Sequence, residues 1–254
     1  MVGTFHAFEY WLMNYRRVWY GSVLSTFMLP VLFLVSIGYG VGAYVNNTGA
    51  LGGVSYAAFV APGLLASTVL QTVGGEMTWP VFAALRWGQQ YKAMQASPLS
   101  PPQILAGHLL YGLMRSLIAA SVFCGVLGVF GIFSRPTAPL SIVFGLLVGF
   151  ALIGWIYSFS VTVKNEVALS IIQRFGIVPV SLFSGIFFPL SQLPTYLQPI
   201  AWISPVWHGA ELCRWAASGT ATPWPWPVHV AYLLVLGVLG WWLASARLRR
   251  RMTG

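Results

Sequence analysis

Ionisable side chains are scarce in this chain, so the few that fall inside apolar sequence set its possible chemistry. Asp is absent, and the carboxylates are Glu9, Glu76, Glu166 and Glu211. Glu76 lies in Gly74-Gly75-Glu76-Met77 near the end of one apolar stretch, and Arg115 lies well inside the next. About 11 residues of helix place Arg115 ~16 Å along the axis, a depth at which a charge is costly unless paired or hydrated. The spacing predicts an intramembrane Glu76–Arg115 pair or a Glu76 carboxylate on a substrate path. His208, Glu211 and Arg214 recur at i, i+3 and i+6. A metal site needs three or more ligands at close range, and no further His or carboxylate lies nearby in the sequence, so no metal is expected. A Glu211–Arg214 pair stabilising a gate on the outer side is the expected role.

Other chemistry is excluded by what is missing. A Ser/His/Asp hydrolase needs an Asp, and its Glu variant needs a GxSxG elbow; the chain has neither. No GxxxxGK[ST] loop is present to cradle phosphates. Cys124 and Cys213 have no CxxC spacing and read as free thiols. The reading is therefore non-catalytic, with no cofactor bound by this chain.

The elements that carry these residues are apolar and long. The chain is 57% hydrophobic and 7% charged, against about 25% charged in an average soluble protein. Six apolar stretches run over residues 22–45, 55–79, 104–133, 139–163, 169–189 and 227–246. A helix of ~20 apolar residues crosses a hydrocarbon layer of ~30 Å, so the fold class is all-α and polytopic, with six transmembrane helices. Placing the N-terminus inside puts nine of the cations in the loops and tails of that side and two, Arg135 and Arg214, opposite. That bias puts both termini in the cytoplasm. The net charge of +9 thus reflects topology, and nucleic acid is not an expected partner.

Three segments lie outside the spans. Residues 1–20 place Phe5, Phe8, Trp11, Leu12, Tyr15 and Trp19 at helical spacing, which predicts an interfacial helix against membrane lipids. Residues 83–97 predict a short inner helix presenting Arg86, Trp87, Gln90 and Tyr91 to a cytoplasmic partner, with Trp87 and Tyr91 at i, i+4. Ser97-Pro98 ends it, and Ser100 with Pro101 opens the next helix. Glu166, in the inner turn Lys164-Asn165-Glu166, is a second candidate contact. Residues 187–222 contain Pro189, Pro194, Pro199 and Pro205, too many for a through-going helix. They predict a pair of outer re-entrant helices, since irregular backbone at membrane depth must be buried in protein or line a cavity. Residues 46–53 read as a Gly-rich outer turn.

Two of these segments carry a family resemblance. The run Phe183-Ser184-Gly185-Ile186-Phe187-Phe188-Pro189, followed by Ile203-Ser204-Pro205-Val206-Trp207-His208 and then Glu211 and Arg214, resembles the signature region of the ABC-2 type permeases. Pro205, His208 and Arg214 fall on the family's pattern, and Val206 is smaller than the usual apolar residue there. Ala96-Ser97-Pro98-Leu99-Ser100 resembles the end of that family's coupling helix. The order of segments is similar along the whole chain, within the daunorubicin-resistance and nodulation-export branch.

The resemblance implies a membrane permease subunit of a bacterial ABC exporter in the inner membrane. Such a subunit pairs with a second permease, of the same or a homologous chain, and sits on two copies of a cytoplasmic ABC ATPase that binds ATP and Mg. Residues 83–97 would be the coupling helix, and the substrate would be an amphipathic or hydrophobic drug, lipid or glycoconjugate moved outward by alternating access. An ion-driven secondary transporter, a membrane assembly protein without transport and a membrane-embedded enzyme remain as alternatives. The first predicts inverted repeats and several midplane acids, of which the sequence offers only Glu76.

Overall fold

The computed structural model describes residues 2–47 and 54–253, without the side chains at 25–27, 29, 30 and 253. Thr48–Gly53, most of the expected outer turn, lie outside the described residues. All regular structure among the described residues is helical. Helix α1 (Val2–Phe33) runs on through π-helical turns at Leu34–Val41 into α2 (Gly42–Asn46). After it come α3 (Tyr56–Met77), α4 (Trp79–Arg86), α5 (Gln90–Gln95), α6 (Pro101–Val129) and α7 (Leu140–Thr162). Helix α8 (Glu166–Ile171) passes through π-helical turns at Ile172–Ile177 into α9 (Val178–Phe183). A 3-10 turn (Leu190–Gln192), α10 (Gln198–Ile203), α11 (Pro205–Ser218) and α12 (Trp226–Thr253) complete the chain.

Local chemistry sets the helix ends. The Ser55 hydroxyl accepts from the Ala58 amide at 3.3 Å, and the Asn46 side chain accepts from the Tyr56 amide at 2.8 Å, tying α2 to the start of α3. Ser100 and Gln103 form a reciprocal capping box at α6, with Pro101 in the first turn where its missing N–H costs nothing. Asn165 caps α8 through the Ala168 amide.

Helix α3 is the centre of the bundle, packed by α6, α7 and α11; α7 also packs on α12, and α1 on α6. Small residues allow these approaches. A Cβ at Gly154 would lie 2.2 Å from the Gly240 carbonyl carbon, and one at Gly107 would lie 2.8 Å from the Phe8 nitrogen. The two chain ends share one end of the bundle: Gly3 lies against Leu99 and Gln103, and Arg251 shares a pocket with Lys92. Helices α10 and α11 are at the other end.

Among the described residues, five helices are long and apolar enough to cross a membrane: 56–86, 101–129, 140–162, 166–183 and 226–252. They differ sharply in burial. In the first, 83% of the apolar window is buried, but only 11% in the α8–α9 unit, which rests on α3 and α10 through few contacts and leaves its apolar flank open.

Several expected boundaries move. No helix end separates residues 1–20 from the first apolar stretch, because α1 continues unbroken to Phe33. That stretch is not among the five long apolar helices of the described residues; it contributes a shorter apolar helix, Val31–Asn46. The expected helix over 83–97 is two pieces. Helix α4 extends α3 past a bend at Thr78, and a turn centred on Gln89, in the left-handed region at φ 48°, separates it from α5. The fifth apolar stretch stops being helical at Phe183, not 189. Gly185 then takes φ +65°, which its lack of a Cβ permits, and the chain turns before Pro189.

Candidate functional site

Glu76 and Arg115 are paired. Arg115 Nε donates to Glu76 Oε1 at 2.7 Å, with the arginine side chain 3% exposed. Its Nη2 donates to the Ser22 hydroxyl, its guanidinium carbon lies 4.5 Å over the Tyr15 ring, and Tyr111 donates to the second Glu76 oxygen at 3.3 Å. One ion pair thus fastens α1, α3 and α6 together, and both Glu76 oxygens are occupied. A buried charge is tolerated when paired and hydrogen-bonded in this way.

Arg214 organises the opposite end. Its Nη1 donates to Glu211 Oε1 at 2.7 Å, one helical turn away on α11. Its Nη2 donates to the Gly185 and Ile186 carbonyls at 2.7 and 3.1 Å, its Nε to the Phe59 carbonyl at 3.1 Å, and the guanidinium sits 4.0 Å over the Phe59 ring. The planar five-donor fork suits this task, and lysine could not reproduce it. Arginine here accounts for the end of α9: the carbonyls that Gly185 and Ile186 withhold from a helix are satisfied by Arg214.

His208 occupies a neighbouring aromatic cage. Its Nε2 is 2.9 Å from the Trp202 carbonyl and its Nδ1 is 2.8 Å from His229 Nδ1. Since Nε2 faces an acceptor, it carries the proton, and His229 donates between the two Nδ1 atoms. His208 also stacks on Tyr232 at 4.0 Å between centroids. The cage joins α10, α11 and α12. No cluster of three or more His, Cys, Asp or Glu that could hold a metal occurs among the described residues. Pro205 opens α11, and Pro189 precedes the 3-10 turn just after the Gly185 and Ile186 carbonyls that Arg214 holds.

The expected partner-facing surface divides in two. Trp87 is 56% exposed in the turn after α4, against Trp79 and Phe82. Tyr91 is 1% exposed and faces the core, so it does not share the Trp87 surface. The i, i+4 relation holds only within one helix, and the Gln89 turn breaks it. Tyr157 donates to the Tyr91 oxygen at 3.1 Å, so the Tyr91 proton goes to His108 Nδ1. Burial, and then Tyr157, push the Tyr91 phenol well above its ordinary range, which keeps that donor in place. Trp11 stacks on the His108 ring at 3.9 Å between centroids. The pieces α1, α5, α6 and α7 therefore meet in one buried cluster. Arg86 Nη2 reaches the Val163 carbonyl at 3.5 Å, Gln90 is half-buried, and Glu166 is exposed in the first turn of α8. Sequence reasoning passed over Trp11 as part of the cluster and missed His108; a His in an otherwise apolar run was the available signal.

A cavity of about 250 Å³ opens between α1, α3 and the α8–α9 unit. Phe33, Leu64, Ile177 and Phe187 supply its apolar wall, and Ser67, Gln71, Gln173 and Ser181 its polar one. Ser67 and Ser181 are hydrogen-bonded across it at 2.6 Å.

A helical bundle with apolar spans, a paired internal charge and an Arg-held cap is the architecture of an integral membrane protein, and the relatives of the chain give its class. The chain belongs to the ABC-2 family of transporter proteins, whose pattern matches residues 88–246. It is an integral membrane protein similar to transport permeases. Nodulation protein J of Sinorhizobium fredii is 26% identical over 250 residues, covering 95% of this chain and 92% of the relative. Nodulation protein J of Rhizobium leguminosarum bv. trifolii is 28% identical over 263 residues, covering 98% and 95%. The inner membrane transport permease YadH of Escherichia coli K12 is 24% identical over 199 residues, covering 76% and 74%.

Proposed function

We propose that this chain is the membrane permease of an ATP-driven exporter in a bacterial inner membrane, moving an amphipathic molecule outward. The end that carries both termini faces the cytoplasm and receives two copies of an ABC ATPase, which bind ATP and Mg. A second permease covers the open flank of α8–α9. The observation that carries this reading is the mixed cavity beside that flank. Its phenyl and aliphatic wall takes the apolar part of a cargo, and its hydroxyls and amides take the polar part. Ion-pair chemistry plays a structural part, since Glu76 is held by Arg115 and Tyr111. Trp87, with Arg86, Gln90 and Glu166 near it in sequence or exposed at the same end, forms the ATPase contact. The Tyr91–His108–Trp11 cluster passes ATPase movement to α1, α6 and α7. Two global states of the spans, biased by the ATPase, give alternating access.

Co-purification of the tagged chain from native membranes tests this. A stoichiometric ATPase, retained with wild type and lost with Trp87→Ala, together with ATP hydrolysis stimulated by cargo, is expected. A chain recovered without ATPase under gentle detergent would overturn the reading.

A further inference from the structure

A second pocket, of about 340 Å³, lies at the end that carries both termini, between the α4–α5 turn and the last turn of α12. Arg86, Lys92 and Arg251 all line it, with Gln89 and Gln95, and Leu85 and Met252 at its apolar lip; no carboxylate is among the lining residues. Cations repel one another, so three of them around one pocket, from positions 86, 92 and 251, make it a site that favours an anion. Arg86 is also pre-positioned by the Val163 carbonyl at the end of α7. The pocket closes against the last residues of the helix 226–252, which is long and apolar enough to cross a membrane.

We infer that this pocket binds the phosphate group of an anionic membrane lipid. Arginine and lysine hold the phosphate oxygens, the glutamine amides donate to the remaining ones, and Leu85 and Met252 receive the start of the acyl chains. The lipid would then bridge the α4–α5 turn and the last turn of α12. The inference is independent of which cargo is moved.

The full chain in detergent, offered equimolar phosphatidylglycerol and phosphatidylcholine, is read by native mass spectrometry. Each surface cation contributes about fivefold to binding an anionic lipid. Lys92→Gln with Arg251→Gln is therefore expected to lower phosphatidylglycerol retention about 25-fold, with phosphatidylcholine unchanged. The charge-conserving pair Lys92→Arg with Arg251→Lys should retain the lipid, which separates charge from folding. Equal retention of the two lipids by wild type would overturn the proposal. So would the same loss from Arg16→Gln with Arg17→Gln, two exposed cations of α1. Displacement by inorganic phosphate at matched concentration would make free phosphate the source and overturn the membrane as donor. Absence of the lipid from the chain–ATPase complex, with the ATPase released by the same double variant, would assign the cations to the ATPase instead.

Discussion

Replacing Arg214 by methionine should be among the most damaging single changes in the chain. The side chain is almost fully buried and makes four hydrogen bonds, one to Glu211 and three to the carbonyls of Phe59, Gly185 and Ile186. Removing one partner of a buried ion pair costs about 3–5 kcal/mol, because the surviving charge is stranded. For a chain near this length about 2–4 °C is lost per kcal/mol, so the melting midpoint should fall by about 6–20 °C. Adding Glu211→Gln removes the stranded charge but, like the single change, leaves the carbonyls of Phe59, Gly185 and Ile186 without that donor. The double variant should therefore be more stable than the single one yet remain below wild type. Arg214→Lys keeps the charge with a single ammonium and should fall between the two. The midpoint is measured as the monodisperse fraction left after heating purified protein in detergent. A single variant within about 2 °C of wild type would refute the account of Arg214 as the clamp on residues 185–186. A double variant less stable than the single would refute the assignment of the loss to a stranded carboxylate.

Three further outcomes follow from other contacts. Gly154→Ala should separate α7 from α12 and cost about 1–3 kcal/mol by overpacking, whereas Gly125→Ala, with open space around it, should be silent; melting of the two variants side by side checks this. Tyr91→Phe strands His108 Nδ1 and the Tyr157 hydroxyl, so about 1–3 kcal/mol should be lost, and transport per ATP hydrolysed should fall while ATPase binding persists. Trp87→Ala removes an exposed ring and should change stability by less than about 0.5 kcal/mol, yet abolish ATPase retention in a pull-down.

Five of the six apolar stretches were legible as long apolar helices of the described residues, because hydrophobicity decides them, while the first contributes only the shorter Val31–Asn46. The helix openings at Ser55, Ser100 and Asn165 follow from capping chemistry written in consecutive residues. The Glu76–Arg115 pair was foreseeable from depth, since each needed the other. What stayed hidden depended on where the backbone leaves the helix. Tyr91 reads as a surface aromatic until the Gln89 turn re-aims it, and no Pro or Gly at Gln89 itself announces a left-handed residue. The fifth span reads through to Pro189 because residues 184–188 are mostly apolar, and its early end comes from an arginine 29 residues beyond Gly185. His108 and His229 carry no spacing signal, because their partners lie on other helices.

The two stretches of π-helix deserve a mechanical reading. Leu34–Val41 follows directly on Phe33, which lines the cavity, and Ile172–Ile177 contributes Gln173 and Ile177 to its wall. A π-turn holds one more residue than an α-turn. Tightening one such turn advances everything beyond it by one residue, a rotation of about 100° and a shift of about 1.5 Å. Side chains on the cavity wall would be exchanged for their neighbours while the helix stayed intact. Such a step in either helix would turn over part of the cavity lining without breaking the helix that carries it.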